Sequence, residues 1–95
     1  GEKDGTVTNS ERRVSRQRPF VPPPGEAMAD WRIICEAAAR MGFGDAFAYQ
    51  TPAEIFREHA ALSTFENDGQ RLFDLGGLAD LSDTDYVAFA PRHWP

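Results

Sequence analysis

Apolar positions along the chain recur first at strand spacing and then at helical spacing. Between Gly5 and Arg18, Thr6, Val7, Thr8 and Val14 favour strand and few residues favour helix. Asn9 and Ser10 lie between the two runs and predict a turn or bulge, because Asn tolerates unusual backbone angles. From Asp30, which caps or opens the element, Trp31, Ile34, Cys35, Ala38 and Met41 fall on one helical face. Arg32, Glu36 and Arg40 take the opposite face at i+4 spacing, and Gly42 is a natural stop. The stretch from Phe43 to Gln50 reads as an aromatic connector whose rings pack under that helix.

A second helix has the clearest start signal. Thr51 suits the N-cap, Pro52 the first helical position, and Glu54 completes a capping box. Ile55, Phe56, His59 and Leu62 then line one face. A third helix opens at Ser82 with Asp85 three residues on, buries Tyr86 and Phe89, and stops at Pro91. Between these two helices, residues 66–77 carry too many Gly, Asn and Asp for regular structure, and Leu72, Phe73, Leu75 and Leu78 tack the loop down. Upstream, Pro22, Pro23 and Pro24 hold an extended, polyproline-like spacer.

The expected fold class is therefore α+β: a short N-terminal strand pair or extended arm over residues 1–18, a proline-rich spacer over 19–26, and a helical part over 27–95 with about three short helices. An isolated strand pair cannot bury both of its faces, which is a first physical sign of a missing partner. The chain does not begin with Met and reads as a single fragment, 1–95, of something longer. No run of about 18 apolar residues is present, so no membrane span is expected.

Charge narrows the candidate chemistry. The net charge is −5, yet residues 1–20 carry five cations against three carboxylates, while the remainder carries five arginines against twelve carboxylates. A bulk surface this acidic disfavours nucleic acid, and only the short arm suits an anion. The lone cysteine, Cys35, excludes an internal disulfide framework and a cysteine-only metal site, and reads as a small buried hydrophobe. His59 reads as a core or rim histidine and His93 as a packing or boundary residue. Arg12, Arg13, Val14 and Ser15 match a basophilic kinase acceptor pattern, which strand placement would hide. No Gly-rich phosphate loop, Ser–His–Asp order or zinc spacing appears.

The densest polar cluster is Asn9, Ser10, Glu11, Arg12 and Arg13. It has two readings. An Asn at a turn offers an acceptor and two donors, and paired arginines fit phosphates bidentately, as a nucleotide-bearing cofactor requires. Alternatively, the cluster is a solvated strand with a cross-strand ion pair between Glu11 and an arginine.

The stretch Gly5 to Val14, GTVTNSERRV, resembles the G-[TVA]-[FVY]-x-N-[TSA]-E-R-R segment of the molybdopterin oxidoreductase family. The similarity continues through Pro23–Ala27, Asp30–Ile34 and Met41–Gly42, and Trp94–Pro95 resembles a tryptophan–proline step further along the same enzymes. Phe47–Tyr49, Ile55–Ser63 and Asp74–Leu78 look most like the assimilatory nitrate reductases, whereas formate dehydrogenases are less similar from Thr51 to Ala90. The resemblance implies part of a larger multidomain α/β enzyme, a cytoplasmic catalytic subunit that reduces nitrate to nitrite in nitrate assimilation. It implies molybdenum bis(molybdopterin guanine dinucleotide) and a [4Fe–4S] cluster in that parent, neither held by this fragment alone. It further implies Asn9 as a cofactor contact, Glu11, Arg12 and Arg13 as an ion-pair scaffold fixing the turn, and no catalytic or metal-ligating residue in this stretch. The partners implied are the rest of the catalytic subunit, nitrate, and an electron-donor protein or domain, with no nucleic acid and no membrane. The alternatives are a fragment of a formate dehydrogenase-like enzyme and a stand-alone interaction domain with a basic arm.

Overall fold

The computed structural model describes residues 1–94. The strand-favouring runs form an antiparallel hairpin, β1 (Gly5–Thr8) and β2 (Arg13–Gln17), with Thr8 opposite Val14 and Gly5 opposite Gln17. A third strand, β3 (Arg92–His93), comes from the far end of the chain and pairs antiparallel with β2, so the sheet order is β1-β2-β3. The α+β class is as expected; the third strand is not. Two residues carry no period, so β3 has no local signature, and its pairing is decided by where the rest of the chain leads it.

After the extended proline segment come α1 (Asp30–Arg40), a 3-10 turn (Gly44–Phe47), α2 (Pro52–Thr64), a second 3-10 turn (Gly76–Leu78) and α3 (Asp83–Val87). α1 starts at the predicted place, but its N-cap is Ala29, which makes no side-chain cap; Asp30 instead opens the first turn and accepts from Lys3 Nζ at 2.7 Å. Gly42 ends it with φ +91°, donating to Ala39 O while Phe43 N donates to Ala38 O. α2 realises its predicted start in full: Thr51 accepts from Glu54 N, Glu54 reaches back to Thr51 N, and Pro52 sits in the first turn. Ser82 Oγ accepts from Asp85 N at 3.0 Å and opens α3, which ends at Val87, short of Pro91.

The core gathers Val14, Ala53, Phe56, Ala60, Leu75, Leu78, Tyr86 and Phe89, with Phe73 and Trp94 packed against it. Phe56 lies 6.0 Å, ring to ring, from both Tyr86 and Phe89. The buried face of α2 is Ala53, Phe56, Ala60 and Ser63, not the predicted Ile55–Phe56–His59–Leu62 face, and Leu62 is 62% exposed. Small side chains decide this: they admit the following loop, where Ser63 Oγ accepts from Leu75 N at 2.7 Å. A Cβ on Gly76 would lie 3.0 Å from Thr64 Cβ, a tight contact that glycine avoids at that approach. In the same loop Leu75 and Leu78 are buried, Phe73 is half-buried, and Leu72 projects outward.

α1 departs most from expectation. Only Ala38 is buried, Trp31 and Cys35 are half-buried, and Ile34 and Met41 are 58% and 72% exposed. The rings of Phe43 and Phe47 also face outward instead of packing beneath the helix, and Phe47 meets Tyr49 edge-on at 6.4 Å. The core is closed by α2, α3 and the sheet, so α1 finds no apolar surface to cover its stripe.

Candidate functional site

The hairpin tip between β1 and β2 holds the polar cluster. Asn9 N donates to Arg13 O at 3.1 Å and Arg12 N donates to Asn9 O at 3.2 Å, closing the turn. Arg12 adopts φ +61°, a left-handed conformation that costs a non-glycine residue roughly 1–2 kcal/mol. The side chain of Asn9 offsets that strain: its Oδ1 accepts from both Glu11 N and Arg13 N at 3.0 Å. Because both partners are N–H groups, the carbonyl oxygen must face them, and the amide nitrogen must face away. That nitrogen has no acceptor among the described residues, and Asn9 is exposed.

Glu11, Arg12 and Arg13 do not form the expected ion-pair scaffold. Side-chain ion pairs among the described residues join Lys3 to Asp30, Arg16 to Asp4 and Arg57 to Asp83. The turn is fixed by Asn9, and the two arginines point to different places. Arg12 lies over the indole of Trp94, 5.5 Å from its centroid, while Trp94 N donates to Arg12 O at 3.0 Å. Arg13 alternates with Val14, which is 1% exposed, and so projects from the outer face of the sheet. Directly opposite it in register stands His93, also exposed; the predicted boundary residue is a strand residue flanking the tip. Trp94 turns its ring edge-on to Phe73 at 4.9 Å, and its Nε1 is buried with no acceptor among the described residues. Pro95 of the tryptophan–proline step lies outside the described residues.

A second set of arginines anchors the hairpin to α3. The Arg16 guanidinium grips Asp4 through two hydrogen bonds of 3.2 and 3.0 Å and donates to Val87 O at 2.9 Å. Arg18 donates to Val87 O at 2.8 Å and Phe89 O at 3.0 Å. Arg16 also lies 4.8 Å over the Tyr86 ring, and Tyr86 Oη donates to Asp4 Oδ1 at 3.3 Å. Hydrogen bonding to Asp4 raises the Arg16 pKa further. Burial, and then the Asp4 charge, raise that of the Tyr86 hydroxyl. The sequence reading missed this clasp. Its members are spread from residue 4 to residue 89, and only the even spacing of Arg16 and Arg18 hinted that they share a side of the strand.

Elsewhere the selected residues stand apart. His59 is exposed at the rim with its ring 5.6 Å from Phe73, and Ser15 is half-buried in the central strand. A cleft of about 540 Å³ between the N-terminal arm, the proline segment and α1 is lined by residues such as Pro23, Met28 and Trp31, and by none of the tip residues. Among the described residues no three His, Cys, Asp or Glu side chains cluster to hold a metal ion, and no helix is long and apolar enough to cross a membrane.

The family model for molybdopterin oxidoreductase matches residues 1–40, which include the hairpin tip. A nitrate reductase of Klebsiella oxytoca is 66% identical over 95 residues, covering 100% of this chain and 11% of its own length. The assimilatory nitrate reductase catalytic subunit of Bacillus subtilis is 37% identical over 97 residues, covering 99% of this chain and 12% of its own. An F420-dependent formate dehydrogenase alpha subunit of Methanocaldococcus jannaschii is 54% identical over 57 residues, covering 60% of this chain. The chain thus spans about a tenth of the length of the nitrate reductases it matches. No solved structure gives a significant match.

Proposed function

The chain belongs to the molybdopterin oxidoreductase family, and we propose that it is an internal segment of the catalytic subunit of an assimilatory nitrate reductase. The observation that carries this is the 66% identity to a nitrate reductase along the whole chain. In this reading residues 1–95 form one fragment of the catalytic domain, and Asn9 contacts a molybdopterin guanine dinucleotide in a cytoplasmic enzyme. A [4Fe–4S] cluster, which takes four cysteine ligands, would be held elsewhere in the longer polypeptide, since this chain has a single cysteine.

The donor set at the hairpin tip fits such a group. A dinucleotide presents phosphate and carbonyl oxygens, and the tip offers an unengaged amide N–H₂ and two guanidiniums without carboxylate partners among the described residues. When bound, the cofactor supplies the two-electron chemistry that converts nitrate to nitrite, and the protein supplies placement and electrostatics. Asn9 does two jobs in this scheme. Its oxygen is committed to the turn, so it meets the cofactor only as a donor, through Nδ2. The Arg16–Asp4–Tyr86 clasp holds the hairpin on α3 and so fixes where that donor stands.

The test is nitrate-dependent oxidation of a reduced dye by the full-length polypeptide purified with its molybdenum. Turnover with nitrate and none with formate is expected. Formate activity alone would keep the family and discard the substrate, the alternative to which the formate dehydrogenase match over 60% of the chain corresponds. Asn9→Asp preserves the acceptor for Glu11 and Arg13 N–H while deleting the donor. It should lower molybdenum content without shifting the unfolding midpoint. Asn9→Ala should lower both, with a stability cost of about 1 kcal/mol. A stand-alone interaction domain does not account for identity extending over the whole chain.

A further inference from the structure

We propose that Asp68 is a site of spontaneous backbone modification: the amide nitrogen of Gly69 attacks its carboxyl carbon, and the chain acquires an isoaspartyl linkage there. The inference stands apart from the family assignment and rests on the turn that follows α2.

The reaction needs an Asp followed by a residue with no side chain to shield its amide, a carboxyl group free to swing onto that nitrogen, and a segment that opens easily. The sequence offers two Asp-Gly steps, Asp4–Gly5 and Asp68–Gly69. The structure separates them. The Asp4 carboxylate is held by Arg16 through hydrogen bonds of 3.2 and 3.0 Å and accepts from Tyr86 Oη at 3.3 Å, while Gly5 lies in the ladder between β1 and β2. Asp68 and Gly69 are both exposed, and the Asp68 carboxylate has no ion pair among the described residues. They are the central residues of a tight turn closed by Gln70 N, which donates to Asn67 O at 2.8 Å. Their φ angles of +46° and +76° are the type I′ pattern, in which the amide between the two central residues takes no part in the turn hydrogen bond. A Cβ built on Gly69 meets nothing within 4 Å, so the approach to its nitrogen is open.

The two asparagines, which undergo the same attack with loss of ammonia, are withheld from it. Asn9 Oδ1 is held by two backbone amides. Asn67 is 2% exposed, and its side-chain amide is tied to Arg71 N and Arg71 O at 2.6 and 3.1 Å. At Asp68 the bond from Gly69 N to Cγ forms as one Cγ–O bond breaks. The oxygen departs as water with the Gly69 amide proton and a second proton from the carboxyl group or solvent. Water then opens the cyclic imide at either carbonyl, restoring Asp68 or leaving the chain routed through its Cγ with no net change in mass. The second product lengthens the backbone of a turn that holds Arg71 at 2.7 Å from Phe65 O, at the end of α2.

The experiment holds the native full-length polypeptide at neutral pH for several weeks and then digests it with trypsin, which releases residues 4–12 and 58–71 as separate peptides. Isoaspartate is read as methyl transfer from S-adenosylmethionine by a protein isoaspartyl methyltransferase. The 58–71 peptide should label at least about tenfold more than the 4–12 peptide, because charge-assisted hydrogen bonds must break before Asp4 can react. In denaturant the two peptides should label alike. Asp68→Asn, a residue this turn type favours, should keep the fold and label faster, with the peptide gaining the mass of an amide-to-acid exchange. An unlabelled 58–71 peptide would overturn the proposal, as would equal labelling of the two peptides in the native protein.

Discussion

Replacing Ser63 by alanine removes, with one oxygen atom, the acceptor for Leu75 N–H and the donor to Ala60 O, both at 2.7 Å. Leu75 N–H would then be buried without a partner, a cost of about 1–3 kcal/mol, visible as faster hydrogen exchange at that amide. Tyr86 yields a pH prediction. Burial raises its hydroxyl pKa above the ordinary 10.0, so the folded state holds its proton to higher pH than the unfolded chain does. The unfolded state therefore binds fewer protons above pH 10, and the contribution of Tyr86 to stability, fully present below that pH, is lost as pH rises through the folded value. Thermal midpoints recorded from pH 9 upward should fall more steeply for the native chain than for Tyr86→Phe. At this scale the sequence marks Asn9 as a turn residue, because Asn at a strand break has a local mechanism. It does not reveal that Oδ1 is consumed by the turn, which depends on how Glu11 and Arg13 present their amides.

Helices α1 and α2 separate what local chemistry decides from what packing decides. The capping box and Pro52 of α2 are contacts within four residues, and they appear where the sequence puts them. The buried face of the same helix is chosen by the partners it meets. Ala53, Ala60 and Ser63 win over Ile55 and Leu62 because a closely approaching loop selects small side chains, which a hydrophobic stripe does not register. α1 has a clear stripe, no side-chain cap and one buried residue, Ala38. Its amides should exchange at least about tenfold faster than those in the middle of α2, since little tertiary contact opposes local opening. Equal protection of the two helices in the isolated segment would contradict this. β3 shows the limit of local reading: two residues without alternation become a strand because β2 offers an open edge.

Across the whole molecule the apolar surface is unbalanced. Phe20, Ile33, Ile34, Met41, Phe43, Leu62, Phe65 and Leu72 are large and exposed, while the core is confined to the sheet, α2, α3 and the loops beside them. A segment isolated with this surface should bind a hydrophobic dye strongly, and the full-length polypeptide should bind far less per molecule. Charge is unbalanced too, with cations gathered in the first twenty residues of an acidic chain, so the hairpin is its positive pole. The pairing of Arg13 with His93 and Val14 with Arg92 also sets a timetable. A ribosome adding roughly 5–20 residues per second takes on the order of ten seconds to pass from the hairpin to β3. Throughout that interval the growing chain displays the unpaired edge of β2 to every other nascent strand nearby. Arg13, exposed on that strand and without a carboxylate partner among the described residues, supplies charge that discourages such strangers until the proper partner is synthesised.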